Sequence, residues 1–228
     1  MHVLDNVIWK ALTTRQAKFA ESCDEARRFI PEVTILGGLR ESTPEGYESL
    51  SELLGAGETV GLFLDEPFQP IRGFSFVARA PLLEMVAENG IALQAAPKLE
   101  FTELTSADSP EMVELAALTK PGPFGSRTHE LGTYLGIRCD GKLAAMAGER
   151  LKVPGYTEVS AVCAHPEHTG RGYAKMLMIE LMRRIASRGE ISFLHVREDN
   201  VHAVELYRRL GFSVRVRGHY AVLRKDRD

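Results

Sequence analysis

Between residues 171 and 185 the apolar positions recur at steps of three and four. Ala174, Leu177, Met178, Leu181, Met182 and Ile185 form one stripe, while Arg171, Lys175, Glu180 and Arg184 fall largely outside it. This period predicts a helix laid on a sheet and stopped at Gly189. Just upstream the period is two. Val159, Ala161 and Cys163 alternate with Glu158, Ser160 and Val162, so residues 157–163 predict a strand with the first three side chains on one face. Residues 133–139 and 142–153 flank Asp140-Gly141, the signal of a two-residue hairpin. Downstream, residues 191–196 predict a strand and 201–210 a helix ended by Gly211. Residues 212–223 predict two extended pieces meeting near Gly218.

The first half reads less clearly. Ala17, Ala20, Ala26 and Phe29 among charges predict a helix over 13–29, ended near Pro31. Leu50, Leu53 and Leu54 predict a short helix stopped by Gly55 and Gly57, and residues 59–64 a buried strand leading into the turn DEPFQP. A further strand over 74–78 and a short helix over 81–88, with Pro81 in its first turn, complete this part. The chain then passes through Pro97 into a strand expected at 99–104, which places a boundary between 1–98 and 99–228. Asp108 and Ser109 precede a helix expected over 110–118. The loop KPGPFGSRTHELG after it has the composition of a segment that shapes a substrate mouth.

Composition narrows the function classes. An apolar fraction of 44% and a charged fraction of 26% are those of a soluble globular protein. Lys+Arg 28 against Asp+Glu 31 gives a net charge of -3, so no nucleic-acid partner is expected. No apolar run approaches a membrane span and no leader pattern opens the chain, so a cytoplasmic protein with no membrane partner is expected. Cys23, Cys139 and Cys163 are far apart and lack metal-ligand spacing. They read as buried fillers in a reducing compartment, with no metal site.

The segment HPEHTGRGYA, residues 165–174, stands between the predicted strand and the long helix. Gly170 and Gly172 let the backbone turn tightly and approach a ligand without Cβ obstruction. The N–H groups from Gly170 to Ala174 would then converge at the positive end of a helix, which suits a pyrophosphate, with Arg171 adding charge at the rim. The plainer alternative is a helix entry that uses its glycines only for the turn. A dinucleotide fingerprint fails because position 175 is Lys, and no Gly-Lys-Ser/Thr of a mononucleotide loop occurs.

VCAHPEHTGRGYAKMLMIELM followed by FLHVREDNVHAVELYRRLGF resembles the two signature motifs of the GCN5-related N-acetyltransferase (GNAT) superfamily, closest to its FR47-like branch. The first motif aligns with Thr169, Gly170, Arg171, Gly172, Tyr173 and Ala174, and departs only at Thr169, where the family carries Gln or Arg. The second aligns through Asn200, Ala203, Tyr207 and the Leu210-Gly211-Phe212 ending. The resemblance spans roughly residues 99–223. It implies a mixed-sheet α/β acyltransferase fold, with the first 98 residues as an additional α/β half readable as a degenerate copy.

By the same resemblance acetyl-CoA is the cofactor. Its pyrophosphate would lie on the glycine loop, and its pantetheine arm would pair with backbone groups of Val162, Cys163 and the rest of the strand end to His165, where two strands splay apart. Tyr207 is the expected general acid and Glu158 the expected base, a salt-bridged carboxylate being the alternative for Glu158. Asn200 and Ala203 are expected near the coenzyme, Asn200 also capping its helix; His129 and Glu130 are weaker candidates for acceptor recognition. The implied reaction is direct acetyl transfer, in a ternary complex, to a primary amine of a small molecule or peptide by a monomer or homodimer. The competing reading is a coenzyme-A-binding regulatory or assembly module without catalysis.

Overall fold

The computed structural model describes residues 2–66, 71–88 and 100–227. The chain opens with α1 (Val7–Thr13), a hairpin of β1 (Ala20–Cys23) and β2 (Ala26–Phe29), β3 (Gly37–Leu39) and α2 (Pro44–Leu53). The helix expected over 13–29 is therefore replaced by a hairpin. Asp24 adopts a left-handed φ of 35° at the turn, and Ala26 and Phe29 are buried through packing on β3 and α1. Tertiary burial outweighs the alanine-rich propensity there. The expected helix at 50–54 is the end of α2, whose Thr43 cap accepts from Gly46 N.

β4 (Thr59–Leu64) matches its expectation, and β5 (Phe74–Val86) absorbs both the strand expected at 74–78 and the helix expected at 81–88. Leu82, Leu83, Met85 and Val86 are all buried. An apolar run buried on both faces carries no period of two, which is why it resembled a helix. Pro81 sits just before the pairing of β5 with a later strand begins at Leu82, so its missing N–H is not needed there.

The remaining elements follow the sequence closely: β6 (Thr102–Leu104), α3 (Ser109–Thr119), β7 (Tyr134–Cys139), β8 (Lys142–Val153), β9 (Tyr156–Ala164), α4 (Tyr173–Ser187), β10 (Ile191–Arg197), α5 (Val201–Arg209) and β11 (Ser213–Lys225). β11 runs unbroken through Gly218, where two pieces were expected, and absorbs its irregularity as register shifts at Val214/Val216 and Val222/Leu223. Among the described residues the main sheet has the order β4-β11-β5-β10-β9-β8-β7-β6. β5 therefore lies between β10 and β11, so strands from either side of position 98 interleave in one sheet; residues 89–99 themselves lie outside the described residues. α4 and α5 cover one face through Leu177, Met178, Leu181, Ile185 and Tyr207. α3 covers Tyr134, Met146, Ala161 and Cys163, and α1 packs beside Leu151, Val153 and Phe193. No helix among the described residues is long and apolar enough to cross a membrane.

Two features of β9 position the site. Its parallel pairing with β10 runs from Ile191↔Tyr156 to Phe193↔Glu158 and stops. Beyond that point β9 stays with β8 as far as Ala164, while β10 stays with β5 as far as Arg197, so the two strands part. The second feature is a bulge: the register against β8 jumps from Gly148↔Ser160 to Met146↔Cys163, with Ala161 at φ 53°. The extra residue reverses the alternation. Val159 faces α4, whereas Ala161 and Cys163 face α3, so the three do not share the expected face.

Candidate active site

The loop before α4 is built as its glycines require. Gly170 and Gly172 adopt φ 76° and 78°, a region open to glycine at little cost, and a Cβ added at either would meet nothing within 4 Å. Gly172 is the N-cap of α4, and no side chain caps it. The first intrahelical bond is Met176 N to Gly172 O at 3.1 Å, which leaves the N–H groups of Tyr173, Ala174 and Lys175 directed out of the helix end. Open space in front of converging donors fits a pyrophosphate. Arg171 is exposed at the rim. The Thr169 hydroxyl donates to Pro166 O at 2.9 Å and is spent within the turn. Tyr173 turns its ring inward, its hydroxyl 3.5 Å from Cys139 Sγ, and offers the loop its backbone only.

At the end of β9 the expectation narrows. His165 N donates to Ala144 O at 2.8 Å, and its carbonyl accepts from His168 N at 2.8 Å, so both its backbone groups are engaged. Its imidazole Nδ1 accepts from Glu167 N at 3.3 Å and caps the turn. Alternation along an antiparallel pair sends the Cys163 peptide groups to the β8 side as well, and those of Ala164 into the gap. Val162, half-buried, sits within the bulge. Burial pushes the Cys163 thiol up to about 11, so it stays protonated and is no nucleophile at neutral pH.

α5 packs on the same core as Val162 and Ala164 near the end of β9. Asn200 caps it, its Oδ1 accepting from Ala203 N at 3.3 Å, and Ala203 packs half-buried against the α4 core. One turn on, Tyr207 is 9% exposed, its ring edge-on to Phe212 at 6.1 Å. Burial, aided by nearby Cys163, raises the phenol to about 12. The hydroxyl thus keeps its proton, and it has no protein hydrogen-bond partner among the described residues.

Glu158 takes the salt-bridged alternative. It is fully buried, and accepts from Arg150 Nε and Nη2 at 2.8 and 2.7 Å, from Leu151 N at 3.2 Å and from His195 Nδ1 at 2.7 Å. Burial pushes the carboxyl up, but the Arg150 charge and the hydrogen bonds from Arg150 and His195 outweigh it and hold Glu158 at about 2. A carboxylate so acidic, with both oxygens engaged, is a poor proton acceptor. The chain of charges continues from His195 Nε2 to Glu84 at 3.6 Å, from Glu84 to Arg215, and from Arg215 to Asp5 at 2.5 Å. Burial lowers the His195 imidazole, yet hydrogen bonds to Glu158 and Glu84 raise it overall. Sequence reasoning missed Arg150, His195 and Glu84; the available signal was a charged or titratable residue inside each of the apolar runs AMAGERLKV, SFLHV and PLLEMV. Glu130 pairs with Arg127 at 2.7 Å, and His129 Nδ1 is buried without a partner among the described residues.

Comparisons with known proteins agree with this architecture. A family profile described as FR47-like protein matches residues 134–221. The N-alpha-acetyltransferase RimI of Mycobacterium tuberculosis is 36% identical over 121 residues, covering 48% of this chain and 75% of the relative. A GNAT-family protein from Novosphingobium aromaticivorans superposes with a TM-score of 0.89 at 35% identity, covering 100% of both chains. A GCN5-related N-acetyltransferase from Kribbella flavida shares the fold at a TM-score of 0.63 and 16% identity, over 96% of each chain. The strand gap, the glycine loop at the head of α4, the tyrosine of α5 and these likenesses together place the chain in the GCN5-related N-acetyltransferase family, in its FR47-like branch.

Proposed function

We propose that this protein transfers an acetyl group from acetyl-CoA to a primary amine by direct attack in a ternary complex. Three features around one core support the reading: the open N-terminus of α4, the parting of β9 from β10 beyond Glu158, and the protonated hydroxyl of Tyr207. The N–H groups of Tyr173 to Lys175 hold the pyrophosphate, with Arg171 at the rim. Gly170, Gly172 and Ala174 keep that approach clear, while Thr169 contributes little. The Ala164 peptide groups, with Val162 at the bulge, receive the pantetheine arm, and Asn200 and Ala203 shape the α5 side. Acetyl-CoA supplies an activated thioester and a thiolate leaving group.

Tyr207 O–H delivers the proton to the departing sulfur, a role that needs a phenol still protonated at neutral pH. Glu158 fixes Arg150 and His195 and takes no proton; the amine enters neutral, and the proton that its nitrogen would lose as the C–N bond forms and the C–S bond breaks would pass to the Tyr207 oxygen, restoring the phenol. The name of the mycobacterial relative, an N-alpha-acetyltransferase, favours a peptide amine as acceptor over a small molecule. Residues 1–98 and 99–228 act as one unit in this reading, because β5 is interior to the catalytic sheet. The test is release of coenzyme A from acetyl-CoA across a panel of primary amines. Turnover with any of them supports the reading; tight acetyl-CoA binding with no turnover on any would instead identify a coenzyme-binding module.

A further inference from the structure

A narrow crevice opens beside the mouth of the strand gap. Its walls include Gly122 and Phe124 of the loop after α3, Tyr134 of β7, Arg150 of β8 and Ser160 of β9. Ser160 lies two positions beyond Glu158, the last β9 residue paired with β10, so the crevice adjoins the place where the strands part. The Tyr134 ring is 1% exposed and lies flat across Gly148, where any Cβ would stand 2.2 Å from it; Phe124 closes over it edge-on at 5.8 Å. The fold thus makes specific room for this ring. Yet the Tyr134 hydroxyl is buried with no hydrogen-bond partner among the described residues. Leaving a buried hydroxyl unpaired is costly, and such a group calls for a partner outside the chain.

Arg150 supplies a second donor. Its Nε and Nη2 are committed to Glu158, and its Nη1 lies 3.8 Å from where a Cβ on Gly122 would stand. Burial pushes the Tyr134 phenol well above its ordinary value, so the hydroxyl is a donor at neutral pH. We infer that Tyr134 Oη and Arg150 Nη1 form a binding site for a neutral carbonyl oxygen of the acceptor, which makes the preferred substrate an amine carried next to an amide or peptide carbonyl. The inference rests on the acetyl-transfer reading and names the acceptor class for it. Charge selects the neutral carbonyl over a carboxylate. Arg150 is already balanced by Glu158 and His195 lies between Glu158 and Glu84, so a further anion would be buried without a counter-charge.

The test compares a dipeptide amide with an alkylamine of equal length lacking the carbonyl, in the full-length protein and in Tyr134→Phe. The wild type is expected to prefer the dipeptide amide by about tenfold in kcat/KM, the worth of one good hydrogen bond. In Tyr134→Phe that preference falls to about twofold or less, chiefly through KM, and calorimetric affinity for the dipeptide amide falls in parallel. Its melting temperature holds or rises, because the hydroxyl removed had no partner. A preference that survives the substitution, an equal loss on both acceptors, or a lowered melting temperature would overturn the inference, the last by revealing a structural partner such as a trapped water. Coenzyme A release without carbonyl preference removes this inference alone. Absence of acetyl-CoA binding removes the acetyl-transfer reading, and loss of dipeptide-amide binding in Tyr134→Phe would still uphold the crevice.

Discussion

The head of α4 and the charge cluster around Glu158 lie on neighbouring parts of the same strand-loop-helix unit, and they are built in opposite ways. The first is made of backbone: two glycines at positive φ, an uncapped helix end and open space in front of them. The second is made of side chains drawn from six segments, Asp5, Glu84, Arg150, Glu158, His195 and Arg215, with Glu158 fully enclosed. A backbone site tolerates exchange of most side chains around it and fails when its space is filled. A buried charge cluster fails when any one charge is removed, because the partner stays behind in a medium that cannot solvate it.

The largest expected effect tests the second half of that contrast. Glu158→Gln leaves Arg150 and His195 without their shared counter-charge, and the folded state should lose about 3–5 kcal/mol in chemical denaturation. A loss under about 1 kcal/mol would mean that the cluster relaxes and that Glu158 is free for another role. Tyr207→Phe probes the other half. Turnover should drop by about 100-fold, the usual worth of a positioned general acid, while acetyl-CoA affinity stays within about threefold. An unaltered rate would return Tyr207 to the core of α5 as a packing residue.

Smaller in size is the pH dependence of stability. Glu158 titrates at about 2 against an ordinary 4.5, so its contribution is complete above 4.5 and lost as pH falls toward 2. His195 is raised above 6.5, so its contribution is complete below 6.5 and lost as pH rises through the higher folded value. Thermal stability should therefore be greatest between about pH 5 and 6.5 and decline on both sides. A curve that keeps rising above pH 6.5 would contradict the placing of His195 between two carboxylates.

The same contrast explains what could be read from the chain. The glycine loop, the α4 stripe and the β7–β8 hairpin are local and periodic, and the structure reproduces them. Ala161 is different: nothing in an alanine announces a left-handed residue, so the bulge that turns Cys163 to the α3 face was illegible. The second half of β5 reads as a helix because burial on both faces erases its period of two, and the hairpin at 20–29 does so because its alanines favour a helix in isolation. The partners of Glu158 come from β5, β8 and β10, and no spacing in the sequence brings them together; only the fold does.

Calorimetric titration of acetyl-CoA into wild type and Gly172→Glu tests the backbone site most directly. A carboxylate at the cap of α4 would occupy the open space and repel the pyrophosphate, and affinity should fall by on the order of 100-fold, with Tyr207→Phe as a variant that keeps it. Equal affinity in wild type and Gly172→Glu would show that the coenzyme, if bound at all, is held elsewhere.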